Sequence, residues 1–309
     1  MRSLRDPALR LYSAATAPIR RRTVRRLAQR GRAPITVLFY HRVADTHANP
    51  WSMPSAVFER QVDWLQANVE LISLAEARRR LAGGTNPRPA AVITFDDGYG
   101  DNCETAIPLL LRRRLPFTYF VSTEIVEQQT AFPHDLQAGV RLRPNTVAEL
   151  RALARCGVEG VELGAHTRTH ADLGRLADPA AVRGEVAGSI DAIEGWTGIR
   201  PRSFAFPFGQ PGNLSALAAS LAREAGADCV CSAYGAYNLP TAGAERDGVV
   251  HVRRVHADPE WGRFVNWMTV DPRKLHAADP VDDRALLAAD PRAAAPAPSS
   301  ATAAGAADG

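Results

Sequence analysis

Short apolar runs and helical periodicity alternate along most of the chain. Residues 35–40 (ITVLFY), 91–95 (AVITF), 117–122 (FTYFVS), 161–165 (VELGA), 203–207 (SFAFP), 228–232 (DCVCS) and 249–255 (VVHVRRV) predict seven strands, each apolar and mostly rich in β-branched or aromatic residues. Between them, residues 58–69, 73–82, 102–113, 146–155, 179–195, 214–224 and about 259–268 read as helices. Ser73 with Glu76 three residues on is an N-cap signal, and Pro108 predicts a kink in 102–113. Residues 123–145 carry no period and read as an irregular loop over one end of the domain. Strands separated by helices argue for a parallel sheet covered on its faces. So many units in about 240 residues favour a (β/α) barrel over an open doubly wound sheet. No GxGxxG follows a strand, so a dinucleotide site has no support.

Charge divides the chain. Ten Arg lie in residues 1–32 against Asp6 alone, which makes that segment +9, so residues 33–309 carry 4 − 9 = −5. A nucleic-acid surface needs clustered positive charge on the folded body, which this distribution denies. The segment 1–32 reads as a basic arm, either solvated or lying as a helix on anionic lipid. Residues 33–275 read as the folded barrel and 276–309 as a disordered Ala/Pro-rich tail. No run of 18 apolar residues occurs, and Arg interrupts the N-terminus too often for a signal peptide. A cytoplasmic protein is therefore expected, peripheral on the inner membrane face if the arm binds lipid. The four cysteines are too few and scattered for a disulfide framework, and Cys229 and Cys231 are expected to point apart.

Chemistry collects after the predicted strands. His41-Arg42 follows the first, Asp96-Asp97-Gly98 the second, and His166-Thr167-Arg168-Thr169-His170 the fourth, while Pro207-Phe208-Gly209 closes the fifth. In a parallel barrel those ends share one face. His166 and His170, spaced i and i+4, can aim both rings at one point, and Asp96 or Asp97 supplies a third ligand with a position left open. Two adjacent carboxylates in a dry site repel unless a cation neutralises one, which frees the other as a base.

TFDDG (94–98), HTRTH (166–170) and FAFPFG (204–209) together resemble the polysaccharide deacetylases of the NodB-homology type, carbohydrate esterase family 4. LFYHRV (38–43) and DNCETAIPLL (101–110) are similar to the branch that includes poly-N-acetylglucosamine deacetylases, and the resemblance spans about 34–270. It implies a distorted (β/α)7 barrel and metal-dependent removal of N- or O-acetyl groups from a polysaccharide, oligosaccharide or lipid-linked sugar. Carried onto this sequence, Asp96 is the general base, and Asp97, His166 and His170 hold the metal, zinc first with cobalt and nickel as alternatives. Pro207, Phe208 and Gly209 form one wall, with the Phe208 N–H toward the developing oxyanion. His41 is the preferred general acid over His251 and His256.

One departure stands out. The third motif has Ala205 where many members carry an Arg that holds the base; Arg202 or the Arg253-Arg254 pair are the candidate replacements. Trp51 and Arg254 are candidate substrate contacts, with His134-Asp135 a further one, whereas Trp64, Trp196 and Trp261 fit core positions. Two rival readings remain: an amidohydrolase acting on a small-molecule amide, and a non-catalytic carbohydrate-binding barrel.

Overall fold

The computed structural model describes residues 5–241 and 243–293. Its main strands are β1 (Ile35–Tyr40), β2 (Ala90–Phe95), β3 (Phe117–Val121), β4 (Val161–Ala165), β5 (Ser203–Ala205), β6 (Cys229–Cys231), β7 (Val249–Val252) and β8 (Arg254–His256). They pair in parallel in the order β7-β6-β5-β4-β3-β2-β1-β8. The two ends of that ladder are successive pieces of chain. Only Arg253 separates β7, whose His251 sits opposite Val230 of β6, from β8, whose Arg254 sits opposite Val37 of β1. The sheet thus curls into a distorted seven-unit barrel whose ladder is interrupted at Arg253. All six residues of β1 and of β2 are buried, so both faces are covered, which is why they read as unbroken apolar runs.

Several local readings change. Ser73 caps its helix as expected, with Oγ accepting from Glu76 N–H. Pro108 does not kink one long helix. The chain breaks at Thr105, and Pro108 falls in the first turn of Ala106–Arg112, where its missing N–H leaves no helix bond unmade. The stretch 123–145 is not irregular throughout, since it contains helices Thr123–Gln128 and Pro133–Gln137. Cys229 and Cys231 do not point apart: alternate residues of a strand share a face, and their Sγ atoms lie 3.8 Å apart as free thiols.

Both ends of the chain are more built than the sequence suggested. The basic arm is a helix, Arg5–Gln29, packed against helix Trp261–Met268 rather than solvated all round. Buried Arg20 donates to the Asn266 carbonyl and side chain at 3.0 and 2.7 Å, and Tyr12 donates to Asp271 at 3.1 Å. Residues 276–293, expected as disordered tail, carry a helix at Asp283–Leu286 and bury Leu286, Leu287 and Ala293. The remainder of that expected tail lies outside the described residues. Among the described residues no helix is long and apolar enough to cross a membrane.

Glu162 of β4 sits away from the site, on the side of the sheet that faces Ala75, Arg78 and Asp228. Burial pushes its carboxyl up to about 7, Asp228 adds to the rise, and the Ala75 N–H and Arg78 only partly oppose it. A carboxyl raised above its unfolded value loses stability as pH climbs through that range. Glu162→Gln is therefore expected to raise Tm by about a few degrees at pH 8 and leave it nearly unchanged at pH 4.5. Equal shifts at both pH values would refute this.

Candidate active site

Four strand ends converge on a cavity of about 480 Å³ lined by His41, Asp96, Asp97, His166, His170 and Phe208, with Trp51, His134 and His256 at its sides. Asp97 is the second residue after β2 and His166 the first after β4, so register alone brings them together through β3. His166 Nε2 lies 3.5 Å and His170 Nε2 3.3 Å from Asp97 Oδ1. His166 Nδ1 is tied to the Ala205 carbonyl at 2.8 Å, which fixes the ring and leaves Nε2 facing Asp97. Donor atoms of Asp97, His166 and His170 all lie within 4.8 Å of one another. Asp97 Oδ1 is buried with no hydrogen-bond partner meeting normal geometry. An orphaned carboxylate oxygen facing two imidazole nitrogens is the donor set a divalent ion requires, so these residues fit a metal.

The backbone here is strained. Asp97 (φ 74°), Thr167 (φ 61°), His170 (φ 63°) and Phe208 (φ 61°) all adopt left-handed conformations without being glycine. Each costs on the order of 1–3 kcal/mol, a cost that persists where the surroundings hold the geometry in place. Gly209 (φ 58°) has no alternative, since a Cβ there would lie 2.6 Å from the Ala233 amide nitrogen. Its N–H donates to the Pro207 carbonyl at 2.6 Å, forming the tight turn that pushes Phe208 outward. Pro207 and Gly209 accordingly shape the turn, while Phe206, Phe208 and Gln210 face the cavity. Phe208 is 56% exposed, its ring 4.9 Å from His170.

Asp96 occupies different surroundings. Arg254 Nη1 and Nη2 donate to its two carboxylate oxygens at 2.6 and 2.9 Å, a bidentate clamp with both side chains buried. The same guanidinium reaches Thr94 Oγ1 at 3.2 Å and the Ser232 carbonyl at 3.0 Å. Burial alone would raise the Asp96 carboxyl; the Arg254 charge and hydrogen bonds, with the nearby His166 and His41, together hold the group below the ordinary carboxylate value. Arg254 therefore stands behind Asp96 and does not line the cavity, contrary to the expectation that it contacts substrate. It fills the role left open at Ala205, whereas Arg202 pairs with Asp228 on the surface and Arg253 with Asp279 and Asp283.

The three histidine candidates separate. His251 is sequestered, bonded to Ser232 Oγ at 2.8 Å and Asp283 at 2.7 Å, and lines no part of the cavity. His41 and His256 both face it, their rings 6.4 Å apart. His41 has a buried Nδ1 without a partner, and its ring lies 4.8 Å from Trp51. Burial pushes its pKa down from the ordinary imidazole value, although Asp97 and Asp96 pull the other way. Trp51, 45% exposed, and Phe208 flank the opening as aromatic surfaces. Trp64, Trp196 and Trp261 pack against the core. Of the loop pair, His134 reaches the cavity while Asp135 is buried under Tyr99, accepting from its hydroxyl at 2.7 Å. Arg42, next to His41, is also inward-facing and pairs with Asp101.

The α/β barrel thus gathers a metal-type triad and a clamped carboxylate at its strand ends. Residues 83–230 match the family model described as polysaccharide deacetylase. The Bacillus subtilis protein YxkH, which bears the family's name, is 26% identical over 180 residues, covering 58% of each chain. A Bacillus gellan lyase is 30% identical over 117 residues, 38% of this chain and 4% of that protein. The chain thus spans less than two thirds of these relatives. The same fold is seen in IcaB from Ammonifex degensii, with TM-score 0.61 and 21% identity over 77% of this chain and 97% of that one. It recurs in the Streptococcus pyogenes deacetylase PplD, with TM-score 0.62 and 18% identity over 78% and 100% of the respective chains.

Proposed function

We propose that the chain is a metal-dependent deacetylase that hydrolyses N-acetyl groups on a saccharide and releases acetate. One observation carries this reading: the partnerless Asp97 Oδ1 facing His166 and His170, beside an Asp96 that Arg254 keeps ionised. Asp97, His166 and His170 would hold the ion, and zinc suits a three-ligand nitrogen and oxygen set with an open position, as do cobalt and nickel. Bound there, it supplies Lewis-acid polarisation of the acetyl carbonyl and makes water more acidic.

The chain's own groups account for the remaining chemistry. Asp96 accepts the proton of the attacking water as the oxygen–carbon bond forms. The Phe208 N–H, which makes no backbone hydrogen bond among the described residues, is available to the developing oxyanion. His41 protonates the departing nitrogen, which is too basic to leave as an anion, and the carbon–nitrogen bond breaks to give acetate and the free amine. Since burial favours neutral His41, the proton it delivers is the one that Asp96 took from water, passed to the imidazole, whose charged form Asp97 and Asp96 favour, before the carbon–nitrogen bond breaks. Trp51 and Phe208 offer ring faces for a sugar on either side of the scissile group.

The deciding experiment measures acetate release from acetylated saccharides by the metal-stripped and zinc-reconstituted protein. Release that depends on zinc supports the reading. Turnover of small amides with none of saccharides would favour the amidohydrolase alternative, and saccharide binding without release would favour a non-catalytic barrel. His41→Gln is expected to lower N-deacetylation by about 10²–10⁴-fold yet largely spare hydrolysis of aryl acetates, whose leaving group needs no proton. His256→Gln should be milder on both. An equal loss on both substrate types in His41→Gln would remove His41 from the acid role.

A further inference from the structure

A second cavity, of about 720 Å³, runs between the N-terminal helix and the barrel. Its helix side carries Ala17, Val24 and Ala28 at helical spacing, and its barrel side Trp64, Val265 and Met268, so the walls are largely apolar. Arg21, Arg25 and Arg60 line the same cavity. The Arg60 guanidinium carbon lies over the Trp261 ring, 3.8 Å from its centre. None of Arg21, Arg25 and Arg60 makes an ion pair or side-chain hydrogen bond among the described residues, and neither do Arg22, Arg26 and Arg30 of the same arm. The helix cannot close the gap by sliding inward, because Arg20–Asn266, Tyr12–Asp271 and Asp6 on the Gly262 N–H hold it. Its outer surface exposes Leu11 (73%) and Ile19 (60%), two of the six large apolar side chains left open on the described chain.

An apolar slot rimmed by unpaired arginines, with tryptophans beside it and apolar residues next to it, matches one environment in chemistry. Arginine suits the phosphates, tryptophan the headgroup level, and the slot the upper acyl chain. A nucleic acid would satisfy the arginines but would gain nothing from the slot. A second copy of the chain would bring a +9 arm against another +9 arm. We propose that this groove docks the protein on an anionic phospholipid bilayer, with a headgroup phosphate held by Arg21, Arg25 and Arg60 and the acyl region entering between the helix and Trp64.

The full chain is tested by co-sedimentation with vesicles of phosphatidylglycerol and phosphatidylcholine, against vesicles of phosphatidylcholine alone, in about 0.15 M salt. At least roughly tenfold stronger binding to the anionic vesicles is expected, and Arg21→Glu with Arg25→Glu should abolish that preference. Brominated acyl chains should quench the tryptophan fluorescence, and the quenching should vanish in Trp64→Phe with Trp261→Phe, a variant whose circular dichroism confirms folding. Equal binding to both vesicle types overturns the proposal. So does anionic binding with unchanged quenching in the double Trp variant, displacement by an equal charge of duplex DNA, or salt-stable dimerisation that the Arg reversals abolish. Vesicle binding is read without turnover, so its failure and the failure of the deacetylase reading are separate results.

Discussion

Replacing Asp97 with Asn is expected to prevent binding of the proposed divalent ion and to lower acetate release by roughly 10³-fold or more, with the fold intact. The magnitude follows from what the ion supplies: several kcal/mol of transition-state stabilisation, at about 1.4 kcal/mol per factor of ten. Loss of a direct ligand should exceed the ~10–100-fold typical of outer partners such as the Ala205 carbonyl on His166. Asn keeps the shape of the side chain and tolerates the left-handed backbone at φ 74°, so the variant tests charge and not local strain. Burial alone would raise the Asp97 carboxyl, but the adjoining His166, His170 and His41 hold it well below the carboxylate range. That carboxylate is ionised and ready for a cation. Zinc should therefore raise the Tm of the parent chain and not that of the variant, because only a native state with a site gains from mass action. Full zinc content and full rate in Asp97→Asn would sink the assignment.

The parts of this protein legible in its sequence are those whose partners are fixed by strand order. His41, Asp97 and His166 each follow a strand end, and parallel pairing puts such ends on one face whatever the side chains are. Phe208 is expected in one wall of the site through the resemblance, and the tight turn at Gly209 does bring its ring to the cavity. For the clamp, the sequence left Arg202 and the Arg253-Arg254 pair as candidates and did not single out Arg254. It lies 158 residues from Asp96, and only the jump of the chain from β7 to β8 at Arg253 swings its side chain under β2. Nothing in the dipeptide Arg253-Arg254 tells which arginine turns inward. The arm illustrates another limit. Its charge was plain, but docking through Arg20 depends on Asn266, a polar residue at an unremarkable helix position. The expectation of a disordered Ala/Pro-rich tail has the same origin: composition does not announce that Asp283 is bound by His251 and Arg253.

Arg254 also carries the prediction with the widest reach, because it joins stability to catalysis. Arg254→Gln should destabilise the protein by about 3–5 kcal/mol, since it leaves the buried Asp96 charge without a partner. Deacetylation should fall by about 10²–10⁴-fold, as a carboxyl deprived of its counter-charge in a dry pocket favours the protonated form and no longer accepts a proton. Asp96→Asn alone should also destabilise, by stranding the guanidinium. The combination Asp96→Asn with Arg254→Met separates the two effects. Both charges are then gone, and an apolar side chain fills the space beside Phe39 and Phe120, whose rings lie 5.2 Å from the guanidinium carbon. Stability should recover well above that of either single variant, because the lost energy was that of unpaired buried charges. Activity should stay at the level of Asp96→Asn, since no base remains. Arg254→Lys should fall between, a single ammonium being unable to reproduce the two-pronged contact or the bonds to Thr94 and Ser232. Additive destabilisation in the double variant would show that the pair is not coupled. Near-normal turnover in Arg254→Gln would show that Asp96 needs no clamp, and the account of the missing arginine at Ala205 would then fail.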